Sequence, residues 1–124
     1  MWKDQRFESA LRLESAAPAD SVRRLHGHSY LLRLHLTAPL DTLMGWTVDY
    51  GDVKETFTPI YKQLDHHCLN DLPGLAEPDP ASLARWIRAQ AAPGLPQLDR
   101  IDLYATPGCG VVLSWGEHEP GLPV

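Results

Sequence analysis

The feature that most constrains the fold is the run 25–38, where His26, His28, Tyr30, Leu32, Leu34 and Leu36 alternate with Gly27, Ser29, Leu31, Arg33 and His35. Alternation of this length predicts a β-strand with one covered and one wet face. A lone strand is not stable, so other elements must pair with it and cover it. Residues 6–14 alternate in the same way, with Phe7, Ser9, Leu11 and Leu13 opposed to Glu8, Ala10, Arg12 and Glu14, and predict that partner. Residues 15–24, with Pro18 and small polar side chains, read as the connection.

Residues 39–45 read as a turn and Asp49 as the cap of a helix along which Val53, Phe57, Ile60 and Leu64 form one apolar stripe. Pro59, inside that stripe, is expected to kink the helix or delete one hydrogen bond. Asp79-Pro80 is a second helix start, an acceptor at the cap followed by proline at the first helical position. Leu83, Trp86, Ile87 and Gln90 mark its packed side, and Pro93-Gly94 its end. Residues 100–104 and 110–115 flank Thr106-Pro107-Gly108 and read as a closing strand pair. The order ββααββ predicts an α+β architecture, an antiparallel four-stranded sheet with two helices on one face. Four strands cannot close a barrel alone, so assembly through sheet edges is expected.

At 124 residues, with no repeat or low-complexity tract, the chain is sized for one domain, 1–124. Its formal net charge of -5 opposes the basic surface that nucleic-acid binding needs. No apolar run approaches the roughly 20 residues of a membrane span. The start MWKDQRFESA lacks the basic and apolar blocks of a secretory signal, so a cytoplasmic protein is expected. Cys68 and Cys109 stand in no CxxC pair and are too few for a disulfide scaffold, which fits a reducing compartment.

Two clusters could do chemistry. His26-Gly27-His28 places two imidazoles on one strand face, roughly 7 Å apart along the strand, where they could share a metal or stand as two polar residues. Asp65-His66-His67 closes the first helix: a carboxylate beside an imidazole suits proton transfer, and histidines at a helix C-terminus also suit the dipole. Cys68 reads as core, Cys109 as an exposed loop thiol or a reactive one, and Trp46, Trp86 and Trp115 as packing or interface residues.

Taken together, LHGHSY at 25–30, GWTVDYGDVK at 45–54, LDHHCLND at 64–71 and LARWI at 83–87 resemble the 6-pyruvoyl- and 6-carboxytetrahydropterin synthases, above all the bacterial carboxy branch. The resemblance runs in order from Phe7 to about Cys109. It implies the tunnelling fold, with three subunits joining their sheets into a barrel and two trimers stacking into a hexamer, and sites between subunits. It also implies chemistry on dihydroneopterin triphosphate: zinc on three histidines, protons moved by a cysteine and an Asp-His pair, and a glutamate anchoring the pterin. The carboxy branch releases acetaldehyde and triphosphate and supplies 7-deazapurine (queuosine) synthesis.

Carried over position by position, the resemblance makes His26 and His28 two zinc ligands, and Asp65 with His66 the catalytic proton-relay pair. Where the family reads F-x-A-A-H-R-L, this chain reads Phe7-Glu8-Ser9-Ala10-Leu11-Arg12-Leu13, so Leu11 replaces the third zinc histidine. The family cysteine falls on Val22 and the anchoring glutamate on Leu103, with Asp102, one residue off, as the alternative substrate-binding residue. Leucine donates nothing to a metal and valine moves no proton, so zinc binding and family activity are expected to be weak or absent. Two readings follow: a pterin lyase with a rearranged site, completed by a substitute such as Glu14, Asp20, His67 or His118, or a non-catalytic paralogue. The paralogue would bind a pterin- or purine-like ligand or a partner subunit, an active relative among them.

Overall fold

The computed structural model describes residues 1–17, 19–37 and 50–115. Pro18, the 39–45 turn, Trp46, Asp49 and His118 lie outside the described residues. The elements run β1 (Trp2–Leu11), β2 (His26–Leu36), α1 (Tyr50–Leu64), α2 (Pro80–Ala91), β3 (Leu98–Thr106) and β4 (Cys109–Ser114), with short 3-10 turns at Ser21–Arg23 and Leu69–Asp71. The strands form one antiparallel sheet in the order β1-β2-β3-β4.

β1 starts four residues and ends three residues earlier than its alternation predicts. β2 runs back along it from Trp2 opposite His35 to Leu11 opposite His26, and the ladder stops there because β2 begins at His26. Trp2, Lys3, Asp4 and Gln5 have no apolar alternation, so only the partner strand reveals them as β. Past Leu11 one strand-like bond persists, from the Leu13 N–H to the Val22 carbonyl at 2.9 Å.

The predicted faces hold. Phe7, Leu11, Tyr30, Leu32, Leu34, Leu36, Ile101 and Leu103 are buried and pack with Val53, Phe57, Ile60 and Leu64 of α1 and Leu83, Trp86 and Ile87 of α2. Burying such side chains stabilises by about 1.5–3 kcal/mol each and dominates the energetics. α1 continues through Pro59, whose missing N–H removes one bond of the ladder. Asp79 caps α2 by accepting from the Ser82 N–H at 3.3 Å, and Trp86 donates its indole N–H to the Pro73 carbonyl at 3.0 Å. Gln90 is exposed; Ala91 takes the buried position after Ile87, because the stripe advances by four rather than three.

A register shift between His35 and Leu36 pairs Leu36 with Leu98 and skips Asp99, bringing Leu98 into the core. The closing hairpin turns at Pro107-Gly108, with Gly108 at φ 77, a conformation that suits glycine.

Candidate functional site

The site forms where the end of α1 folds back against the outer edge of β1. α1 stops at Leu64, and His66 adopts the left-handed conformation (φ 57) in which helices commonly terminate. That turn brings residues 65–70 alongside β1 as a partial extra strand. The Glu8 N–H donates to Asp65 Oδ1 at 2.9 Å, the His66 N–H to the Glu8 carbonyl at 2.6 Å and the Ala10 N–H to the His67 carbonyl at 3.0 Å. Further on, Asn70 accepts from the Arg12 N–H and donates to the Arg12 carbonyl, both at 2.9 Å. An edge strand that exposed these groups would recruit another chain, so residues 65–70 both protect it and position Asp65 and His66.

Asp65 receives three donors. Its Oδ1 takes the Glu8 N–H, and its Oδ2 takes the Tyr61 hydroxyl at 3.0 Å and the His66 Nδ1–H at 2.7 Å. The Glu8 backbone bond leads in holding the carboxyl below its ordinary range, with His66 and Tyr61 adding to it. The same pair raises His66 above the ordinary imidazole value, through the hydrogen bond to Asp65 first and its charge second. The His66 side chain is 76% exposed against 18% for Asp65, so the carboxylate is shielded and the imidazole presented. With Nδ1 committed, Nε2 is the nitrogen able to meet a ligand. Tyr61, unforeseen from sequence, sits one helical turn before Asp65, the i, i+4 spacing that could have revealed it.

A cleft of about 450 Å³ opens here, lined by His28, His66, His67, Cys68, Ser9 and Glu8 among others. Cys68, expected in the core, is half-buried in its wall, with Sγ 3.8 Å from Asn70 Oδ1.

The His26 and His28 rings meet edge to face, centroids 5.0 Å apart, and His28 stands 5.7 Å from Tyr30. His26 Nδ1 lies 2.8 Å from the Arg24 carbonyl, which can only accept, so Nδ1 carries the proton and Nε2 the lone pair. That Nε2 is buried with no partner, as a metal-ready imidazole would be. Desolvation first, and His26 second, lower the His28 pKa; burial pushes the Tyr30 hydroxyl up to about 12.

No third donor stands beside them among the described residues. Leu11 is the cross-strand partner of His26, on the same face and 2% exposed. Among the described residues no group of three or more His, Cys, Asp or Glu side chains is placed to hold a metal ion. Of the considered substitutes, Glu14 pairs with Arg12 at 2.9 Å, Asp20 caps the 3-10 turn through the Val22 N–H, and His67 Nδ1 bonds the Asp65 carbonyl at 2.7 Å. The described residues therefore do not fit a zinc held by three protein ligands.

Val22 is half-buried in the 3-10 turn, and Leu103 is fully buried opposite Leu32. Asp102, opposite Arg33, points to the other sheet face from His26 and His28. There it is 1% exposed and bonded to Arg100 Nε and His35 Nε2, both at 2.8 Å. The structure thus gathers His66 and His67 in one cleft with His28, holds Asp65 behind His66, and keeps Asp102 apart from them.

Comparison with known proteins agrees with the fold. The family described as 6-pyruvoyl tetrahydropterin synthase matches residues 1–115. A 6-carboxy-5,6,7,8-tetrahydropterin synthase of Synechocystis is 33% identical over 112 residues, covering 86% of this chain and 85% of the relative. A dihydroneopterin monophosphate aldolase of Pyrococcus furiosus is 27% identical over 112 residues, covering 88% and 95%. The structure of 6-pyruvoyl tetrahydropterin synthase from Caenorhabditis elegans superposes with a TM-score of 0.84 at 18% identity, covering 94% of each chain. The match along the chain and the shared sheet-and-helix arrangement place this protein in the 6-pyruvoyl tetrahydropterin synthase family.

Proposed function

We propose that this chain is a single tunnelling-fold domain, cytoplasmic, that acts as a 6-carboxytetrahydropterin-synthase-like pterin lyase of the 7-deazapurine (queuosine) type, its family activity weak or absent. The observation that carries the reading is Leu11, an aliphatic side chain directly opposite His26 on the metal-side face. In the part of the chemistry that remains, Asp65 holds the Nδ1 proton of His66 and favours the imidazolium, so His66 enters as a proton donor through Nε2. Trimers stacking into hexamers are part of the proposal. β4 and residues 2–6 of β1 have no backbone partner on their outer edges among the described residues, which supports assembly there.

The second reading, a non-catalytic paralogue that binds a pterin- or purine-like ligand or joins an active relative, is supported by an intact cleft beside a metal site short of one donor. One experiment separates the two. Protein purified with zinc supplied is assayed for bound metal, for acetaldehyde release from dihydroneopterin triphosphate, and for dihydroneopterin binding by equilibrium dialysis. Binding with slow turnover supports the lyase, and binding without turnover the paralogue. Stoichiometric zinc with full turnover overturns the loss of activity, and no binding at all overturns both readings.

A further inference from the structure

Tyr61 and His66 share one acceptor atom. The Tyr61 hydroxyl donates to Asp65 Oδ2 at 3.0 Å and the His66 Nδ1–H to the same oxygen at 2.7 Å, while Oδ1 takes the Glu8 N–H at 2.9 Å. The main chain also fixes Tyr61 against Asp65, whose N–H donates to the Tyr61 carbonyl at 2.8 Å. The tyrosine ring is half-buried and packs on the core, whereas His66 is exposed. Tyr61 is thus the anchored donor on Oδ2 and the imidazole the solvated one. The bond to Asp65 first, and burial second, raise the Tyr61 hydroxyl above its ordinary value, so it stays protonated throughout the range in which His66 titrates.

Packing accounts for an aromatic ring at residue 61, and phenylalanine would serve it equally. The hydroxyl does something more. Each donor on a carboxylate oxygen takes up part of its charge and leaves a weaker acceptor for the other. We propose that Tyr61 is a positioning residue that acts on His66 through Asp65: by donating to the same oxygen, its hydroxyl limits how firmly the imidazole keeps its proton. The proposal rests on the reading of His66 as a proton donor. A general acid works best when its proton affinity lies near the working pH, and an imidazolium on an unshared carboxylate would release its proton less readily. The other titratable groups lining the cleft beside His66 are Glu8, His28, His67 and Cys68. After the bond and charge of Asp65, Glu8 adds a smaller push toward the imidazolium. Among the described residues, the hydrogen bonds to Asp65 Oδ2 come from Tyr61 and His66, so the hydroxyl is the group that divides this oxygen with the imidazole.

The test is an NMR titration of the histidines in the full chain and in Tyr61→Phe, which keeps the packed ring and removes the shared donor. His66 should titrate at higher pH in the variant, its neutral fraction at pH 7 falling about threefold, the worth of a modest hydrogen bond. His28, in the same cleft and without a bond to Asp65, should stay in place and serve as the internal reference. In an Asp65→Asn background, Tyr61→Phe should leave His66 where Asp65→Asn alone puts it, because the effect passes through the carboxylate. Loss of a contact that only steadies the helix end would lower the melting temperature and leave His66 unmoved. An unmoved or lowered His66 in Tyr61→Phe, or an equal rise with and without the Asp65 carboxylate, overturns the proposal. The titration needs no turnover, so a protein that releases no acetaldehyde from dihydroneopterin triphosphate overturns the lyase reading alone.

Discussion

Leu11 and His26 are direct cross-strand partners on the helix-covered face of β1 and β2. Directly opposed side chains have Cβ atoms about 4.5–5.5 Å apart, so an imidazole at residue 11 would stand within reach of a metal ion placed between His26 and His28. Leu11→His should destabilise the metal-free protein by about 1–3 kcal/mol, the cost of burying a polar ring without a partner. Zinc should then raise its melting temperature while leaving the unsubstituted protein unchanged. Thermal unfolding with and without zinc reads both effects, and an L11H protein indifferent to zinc would show that the missing donor belongs elsewhere.

Asp65 and His66 make a pH-dependent contribution of definite sign. Asp65 is lowered, so its stabilisation is present above the ordinary 3.8 and lost as pH falls through its folded value. His66 is raised, so its stabilisation is complete below the ordinary 6.5 and lost as pH rises through its folded value. The pair therefore supports the fold most between those two values. NMR titration should place His66 above, and His28 below, the ordinary imidazole value. Asp65→Asn should return His66 toward it and leave His28 in place.

Asp102 is buried between Arg100 and His35, and its removal strands a buried guanidinium. Asp102→Asn should cost about 3–5 kcal/mol in chemical denaturation, as breaking one side of a buried pair does. Pterin affinity should not change. Weaker pterin binding at unaltered stability would instead make Asp102 the substrate anchor.

Gly110 runs beneath the β3 backbone, where an added Cβ would overlap the Leu103 carbonyl oxygen and stand 3.0 Å from Tyr104 Cα. Backbone yields less readily than a side chain, so Gly110→Ala should destabilise by about 1–3 kcal/mol. Gly108→Ala meets nothing within 4 Å, and its cost is the left-handed φ of 77 alone. Paired urea melts of the two variants separate the clash from the strain.

Local periodicity alone determined the sheet-and-helix pattern: the shared face of His26, His28 and Tyr30, the α1 stripe from Val53 to Leu64, and the Asp79 cap all come from spacing within one element. The Asp65–His66 pair was equally legible, because its members are adjacent in the chain. Tertiary structure decided what those faces meet. Asp65 is held by a backbone N–H 57 residues away, and that bond exists only because a left-handed turn at His66 lays residues 65–70 along β1. The start of β1 was hidden because Trp2 to Gln5 become strand through the ladder with β2 rather than by their own pattern. Which face Asp102 takes depended on sheet register, in which one residue of offset turns a side chain from core to the opposite surface. Side-chain alternation is a property of the chain, whereas register and edge contacts are set by pairing free energies between distant segments, and these exist only in the assembled sheet.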